Sequence, residues 1–204
     1  MSKDIKIKKG LTINLKGEAE KTLSKAPRSR TFAIRPADFH LTTPKMVVKE
    51  GAKIQAGEII FYSKDKENIK FASPVSGTLT AIERGAKRVI TRIMIEAETQ
   101  DTFVDRGSMN VATMEAEAIK SHLLASGCWP FIKQRPYDVI ANPEEAPKAI
   151  FISGYTTAPL AADLDFTLKG KEAELQAAVT ALSKLTEGKV HIGLGVTGVH
   201  HLKM

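Results

Sequence analysis

Apolar and polar residues alternate at the start of the chain. Ile5, Ile7, Leu11, Ile13 and Leu15 hold odd positions, with Lys6, Lys8, Thr12, Asn14 and Lys16 between them. A two-residue period predicts a half-buried strand, with Gly10 at a bend or bulge. The stretch from Gly17 to Arg30 is charged and contains Ala26-Pro27, so it reads as an exposed connection. It leads into a short apolar segment, Thr31-Phe32-Ala33-Ile34, before Arg35-Pro36. From Met46 to Glu96 the chain consists of short β-branched runs punctuated by glycine and proline, such as Glu58-Ile59-Ile60-Phe61-Tyr62 and Thr78-Leu79-Thr80-Ala81-Ile82. Strands of three to five residues joined by tight turns predict a small barrel or sandwich over residues 1–105.

The pattern then changes to a helical period. Met114, Ala118, Ile119, His122 and Leu123 share one face, Thr113 is the expected N-cap and Gly127 the C-terminal stop, giving a helix over 114–125. In the segment Cys128-Trp129-Pro130-Phe131-Ile132-Lys133-Gln134-Arg135-Pro136-Tyr137, the prolines predict a connection without regular structure. Ala149-Ile150-Phe151-Ile152 is a continuous apolar run, expected to be a strand buried on both faces. A polar, proline-containing connection follows. Leu175, Ala178, Val179, Leu182 and Leu185 then form a helical stripe closing at Lys184 and Gly188, and Lys189-Val190-His191-Ile192 begins another strand. Strand, helix, strand is a parallel crossover unit. The overall class is therefore α+β, in three parts: a β-rich domain (1–105), a helix and Trp/Arg-Pro connecting segment (106–147), and the start of an α/β domain (148–204). A lone crossover leaves sheet edge uncovered, so the unit is expected to belong to a longer protein.

Composition narrows the functions open to this fold. No stretch approaches the ~18 apolar residues of a spanning helix, and no apolar run follows the basic start, so the expected compartment is the cytoplasm. One cysteine, Cys128, excludes a disulfide framework, a four-cysteine iron-sulfur cluster and a cysteine-rich zinc site. A net charge of +7 favours acidic partners, yet the basic residues are dispersed and aromatics make up only 6%, which argues against nucleic acid.

Individual motifs carry competing readings. Lys66, within Ser63-Lys64-Asp65-Lys66-Glu67 and upstream of Ser73-Pro74-Val75-Ser76-Gly77, sits where lipoyl and biotinyl domains carry their modified lysine. A solvated, lysine-rich turn explains it as well, and a carrier role on Lys66 is the alternative function. Gly193-Leu194-Gly195-Val196-Thr197-Gly198 has dinucleotide-fingerprint spacing but neither a following helix nor an acidic residue behind it. His191, His200 and His201 have no carboxylate nearby in sequence to complete a metal site, and no Ser/His/Asp pattern suggests hydrolysis; no catalytic or metal residue is assigned. Arg84-Gly85-Ala86-Lys87-Arg88 reads as a cationic hairpin turn, solvated or binding a phosphate or acidic partner. Trp129, Phe131, Ile132, Lys133, Arg135 and Tyr137 have the makings of a pocket for a flat apolar ring bearing carbonyl oxygens. Packing of a loop onto the core accounts for the same residues equally well.

Taken in order, Ile5-Lys6-Ile7-Lys8-Lys9-Gly10-Leu11, Phe71-Ala72-Ser73-Pro74-Val75-Ser76-Gly77, Arg84 to Arg88, Ser126 to Tyr137 and Lys148-Ala149-Ile150-Phe151-Ile152 resemble the A subunit of the bacterial sodium-translocating NADH:quinone reductase. The resemblance runs through essentially the whole chain. It implies the N-terminal half of that protein: a barrel-sandwich domain of biotinyl/lipoyl type without its prosthetic group, then a truncated Rossmann-like domain. It also implies a peripheral protein on the cytoplasmic side of the inner membrane, docked on other subunits, membrane subunits included, and not catalytic alone. In this family FMN, FAD, riboflavin and Fe-S centres sit on partner subunits, sodium moves through membrane subunits, and none of these cofactors is expected here. Ubiquinone or menaquinone is the implied substrate, with binding ascribed to the segments matching Thr31 to Pro36 and Ile132 to Tyr137. The resulting candidates are Ile34, Arg35, Pro36, Phe131, Ile132, Lys133, Arg135, Pro136 and Tyr137. Two departures bear on the site. Ser126-Gly127-Cys128-Trp129-Pro130 has one glycine where the related flavin-binding subunit of respiratory complex I has a glycine-rich loop, and the link Ala37 to Pro44, beside Arg35, is longer than in other members.

Overall fold

The computed structural model describes residue 13, residues 15–17 and residues 19–195. The predicted strand from Ile5 to Leu15, with its bend at Gly10, lies almost wholly outside the described residues, as do Val196-Thr197-Gly198 of the terminal glycine motif, His200 and His201.

Among the described residues seven strands build the first unit: β1 (Thr31–Ile34), β2 (Pro44–Met46), β3 (Lys53–Ile54), β4 (Ile59–Ser63), β5 (Lys66–Ala72), β6 (Gly77–Arg84) and β7 (Ile90–Ala97). They form two antiparallel sheets, ordered β1-β7-β6-β3 and β2-β4-β5. The core lies between them: Leu79, Ile93 and Ile95 come from one sheet, and Ile60, Phe61, Ile69 and Phe71 from the other. Strict alternation would expose one of Ile60 and Phe61, yet both are fully buried. A register shift between Ile59 and Phe61 explains this, because a bulge turns two successive side chains inward. Phe61 then stacks on Phe71 with ring centroids 4.3 Å apart.

Gly77 explains the glycine of the Pro-Val-Ser-Gly motif, since a Cβ there would collide with the carbonyl of Glu96 on the adjacent strand. Ser76, fully buried, donates its amide to the Asp101 carboxylate at 2.8 Å, and its hydroxyl reaches Glu98, Gln100 and Asp101 and accepts from the Thr102 amide. Asp101 also pairs with Arg28 at 2.8 and 2.6 Å, and Arg28 Nε donates to the Glu98 carbonyl. The exposed connection from Gly17 to Arg30 is thereby tied to the barrel at its end.

Helix α1 (Ala116–Ser126) starts at Glu115 rather than at Thr113, because Thr113 closes a turn with Asn110 through both its amide and its hydroxyl. It ends, as expected, at Gly127, which is left-handed at φ 76°. Beyond it, the expectation of a connection without regular structure is corrected. Trp129–Phe131 forms a 3-10 turn, and β8 (Lys133–Gln134) pairs with β9 (Val139–Ile140) as a short hairpin. Pro130 falls in the first turn of the 3-10 element, where an amide has no internal partner to lose, and Pro136 lies in the hairpin loop.

The last part contains β10 (Ile150–Ser153), α2 (Leu164–Thr167), α3 (Glu172–Ser183) and β11 (Val190–Gly193), with β10 and β11 parallel. The crossover reading holds, and α2, capped by the Asp163 side chain on the Phe166 amide, is an addition to it. Leu175, Val179 and Leu182 are half-buried along α3, as the stripe predicts. Burial of β10 on both faces is corrected: Phe151 is 76% exposed, stacked on His191 at 4.8 Å. Among the described residues β10 has one strand neighbour and its burial alternates, leaving Phe151 and Ser153 in solvent. Among the described residues no helix is long and apolar enough to cross a membrane.

Candidate functional site

The two candidate segments come from opposite ends of the folding unit, and one aromatic residue joins them. Ile34 ends β1 on the edge of the four-stranded sheet and packs partly against the core. Arg35 follows as the residue before a 3-10 turn, Pro36–Asp38, in which Pro36 is fully buried. The Arg35 guanidinium is exposed and lies 3.7 Å from the Asp38 carboxylate. The turn then delivers Phe39 between two rings. It meets Phe71 edge-on at 4.7 Å and Phe131 edge-on at 6.2 Å.

Phe131 belongs to the second segment, whose position is fixed from below. Gly127 passes so close to β5 that a Cβ would lie 2.9 Å from both the amide nitrogen and the Cβ of Ala72. The chain then turns through Cys128, whose amide donates to the Leu123 carbonyl, and sends Trp129 into the core. The indole Nε1 donates to the Ala141 carbonyl at 2.8 Å, tying the start of the loop to its end. Trp129 and Ile140 are members of the same buried cluster as the barrel strands, with Ile132 packed against it.

The remaining candidates face solvent. Phe131 is 75% and Tyr137 76% exposed, and Lys133 and Arg135 are exposed as well. Arg135 lies 3.7 Å from Asp138, and the Arg135–Pro136 peptide is cis. The expected enclosure of a ring by Trp129, Phe131 and Tyr137 is not the arrangement found: Trp129 serves the core, while Phe131 and Tyr137 stand on the surface.

Behind the hairpin a polar network sets its angle. Gln134 donates to Glu145 at 3.0 Å, Asn142 donates to the other Glu145 oxygen at 2.8 Å, and the Asn142 backbone amide donates to the Gln134 side-chain oxygen. The Asn142 side chain first, then Gln134, and then the charge of Lys66 hold the Glu145 carboxyl below its usual range. A polar depression of about 380 Å³ lies here, lined by Asp65, Lys66, Glu67, Asn68, Asn142 and Glu144. Lys66 is therefore the first residue of β5, paired with Ser63 across the two-residue turn Lys64-Asp65, and it faces the 142–145 turn. Among the described residues no three His, Cys, Asp or Glu side chains converge as metal ligands.

Phe39, Gly127 and the Gln134–Asn142–Glu145 network were not among the candidates. The signal for Phe39 was an aromatic in a charged link directly after Arg35-Pro36. Gly127 reads as a helix stop, but its contact with Ala72 is a long-range fact with no local signature.

Comparison with known proteins places both halves. Residues 5–98 match the NqrA N-terminal barrel-sandwich hybrid domain, and residues 114–201 match the NqrA second alpha/beta domain. Among curated relatives, the A subunit of the Na(+)-translocating NADH-quinone reductase of Saccharophagus degradans is 32% identical over 190 residues, which is 92% of this chain and 42% of that protein. The protein of the same name from Yersinia pestis is 34% identical, and that from Klebsiella pneumoniae 33%, each with the same coverage. The chain thus spans about two fifths of the length of these relatives. With two consecutive domains of one family matched in order, the chain belongs to the NqrA family.

Proposed function

We propose that this chain works as the N-terminal part of the NqrA component in a sodium-translocating NADH:quinone reductase, where NADH oxidation and quinone reduction drive sodium export. The observation that carries the reading is the ordered match of both NqrA domains along one chain. In this role it is a peripheral component on the cytoplasmic side of the inner membrane, docked on the other subunits of the complex. FMN, FAD, riboflavin and Fe-S centres belong to those partners. This part contributes shape, charge and an apolar surface to the assembly, and is not catalytic alone.

Quinone is the ligand assigned to the face built by Ile34, Arg35 and Pro36 with Phe131, Ile132, Lys133, Arg135, Pro136 and Tyr137. The junction of the two segments through Phe39 supports the assignment, since an edge-on aromatic pair offers ring faces to a flat headgroup. Arg135 would supply a donor to a quinone carbonyl. In the assembled complex a photoreactive quinone should label residues 131–137, and Arg135→Ala should raise the quinone concentration needed for half-maximal rate by roughly 5-fold, the worth of one hydrogen bond of about 1 kcal/mol. Labelling confined to other subunits, with unchanged kinetics, would remove the quinone site and leave the family membership untouched.

A further inference from the structure

The β6–β7 hairpin ends in a turn for which the quinone reading has no use. Its tip, Glu83 to Val89, is exposed throughout and carries Arg84, Lys87 and Arg88 within five residues. Many cations elsewhere are engaged: Arg28 with Asp101, Lys45 with Glu67, Lys120 with Glu117, and Lys184 on the carbonyls of Ala112 and Met114. Among the described residues none of these three tip cations pairs with a carboxylate. Arg84 donates to the Arg88 carbonyl, at 3.2 Å. The two carboxylates that border the tip are already committed, Glu83 to Arg92 at 3.6 Å and Glu50 to the Ile82 amide at 2.6 Å.

The backbone of the turn is held in an unfavourable form. Lys87 and Arg88 are both left-handed, at φ 53° and 60°, a conformation that costs free energy for any residue with a Cβ. Bonds within the turn maintain it: Gly85 donates to Val89, Arg88 to Gly85 and Val89 to Ala86. Beside the cations Val89 is 59% exposed, although the next residue, Ile90, is buried.

We propose that this tip docks on an anionic lipid bilayer, the three cations meeting headgroup phosphates and Val89 entering the interfacial layer. Two observations favour lipid over an acidic protein. Among the described residues no carboxylate pairs with Lys87 or Arg88 to orient it, and a fluid field of phosphates requires no fixed geometry, whereas a stereospecific carboxylate partner would. An exposed apolar side chain set among cations also suits the boundary between headgroups and acyl chains. The chain's net charge of +7 acts in the same direction.

The test is co-sedimentation of the full chain with vesicles of phosphatidylcholine alone or mixed with phosphatidylglycerol. Binding is expected only to the mixed vesicles and to be released by salt. The triple variant Arg84→Gln, Lys87→Gln, Arg88→Gln should lose on the order of 100-fold in partitioning. Val89→Asn, whose fold is easily verified, should weaken binding without altering its salt dependence. A charge-matched control, Lys25→Gln, Lys169→Gln, Lys189→Gln, should retain most of the binding. Absence of binding by the parent, unchanged binding by the tip variants, or an equal loss in the control would overturn the proposal. So would retention on immobilised polyglutamate under salt that releases the vesicles, which would assign the tip to an acidic protein partner.

Discussion

Asp101 ties two separate segments together at the rim of the barrel. It accepts from Arg28 and from the Ser76 amide, and these bonds, Arg28 foremost, hold its carboxyl below the ordinary aspartate range. A depressed folded value stabilises the protein at every pH above the unfolded value of roughly 3.9, and that contribution is lost as the pH falls through the lower, folded value. Asp101→Asn should therefore lower the thermal midpoint at neutral pH and make its decline below about pH 4 shallower than in the parent, as followed by circular dichroism across a pH series. At Gly127 two demands coincide, a left-handed backbone and contact with Ala72. Gly127→Ala meets a conformational penalty of about 1 kcal/mol and a clash with backbone besides, so a loss of at least ~2 kcal/mol in denaturant unfolding is expected. Only the first of these demands is written in the local sequence, as a glycine after a helical stripe. The second depends on which strand the helix reaches.

Among the elements, legibility followed the range of the interactions that make them. The β6–β7 hairpin and α3 could be read from periodicity and turn residues, because alternation, helical stripe and glycine punctuation are local signals. The bulge at Ile59–Phe61 and the hairpin of β8 and β9 could not, since a two-residue strand has no period and its prolines argue against it. The candidate site suffered from the same limit. Tryptophan, phenylalanine and tyrosine in one loop look alike in sequence, but Trp129 is the buried one, and its indole finds its hydrogen-bond partner twelve residues away. Trp129→Phe keeps most of the apolar volume and removes the bond to the Ala141 carbonyl. It should cost about 1 kcal/mol and loosen the β8–β9 hairpin, visible as faster amide exchange at Ile132 and Ala141.

For the whole molecule, the two matched domains share one interior. Trp129 and Ile140 sit among the barrel's buried residues, Leu123 and Leu124 of α1 and Leu185 beyond α3 pack against that cluster, and Gly127 rests on β5. A division of the chain near residue 105 would therefore separate Trp129 and Ile140 from the buried cluster they belong to. The truncated chain 1–105 should unfold at a lower temperature than the full chain and bind an apolar dye that the full chain excludes; equal stability of the two would show the barrel to be self-sufficient. This arrangement also has a consequence for biosynthesis. A nascent polypeptide leaves the ribosome N-terminus first, so strands β1 to β7 emerge before the tryptophan that seals them. Until Ile140 is released, apolar strand faces stand open to water, and translation speed and chaperone cover over that interval bear directly on the yield of correctly closed protein.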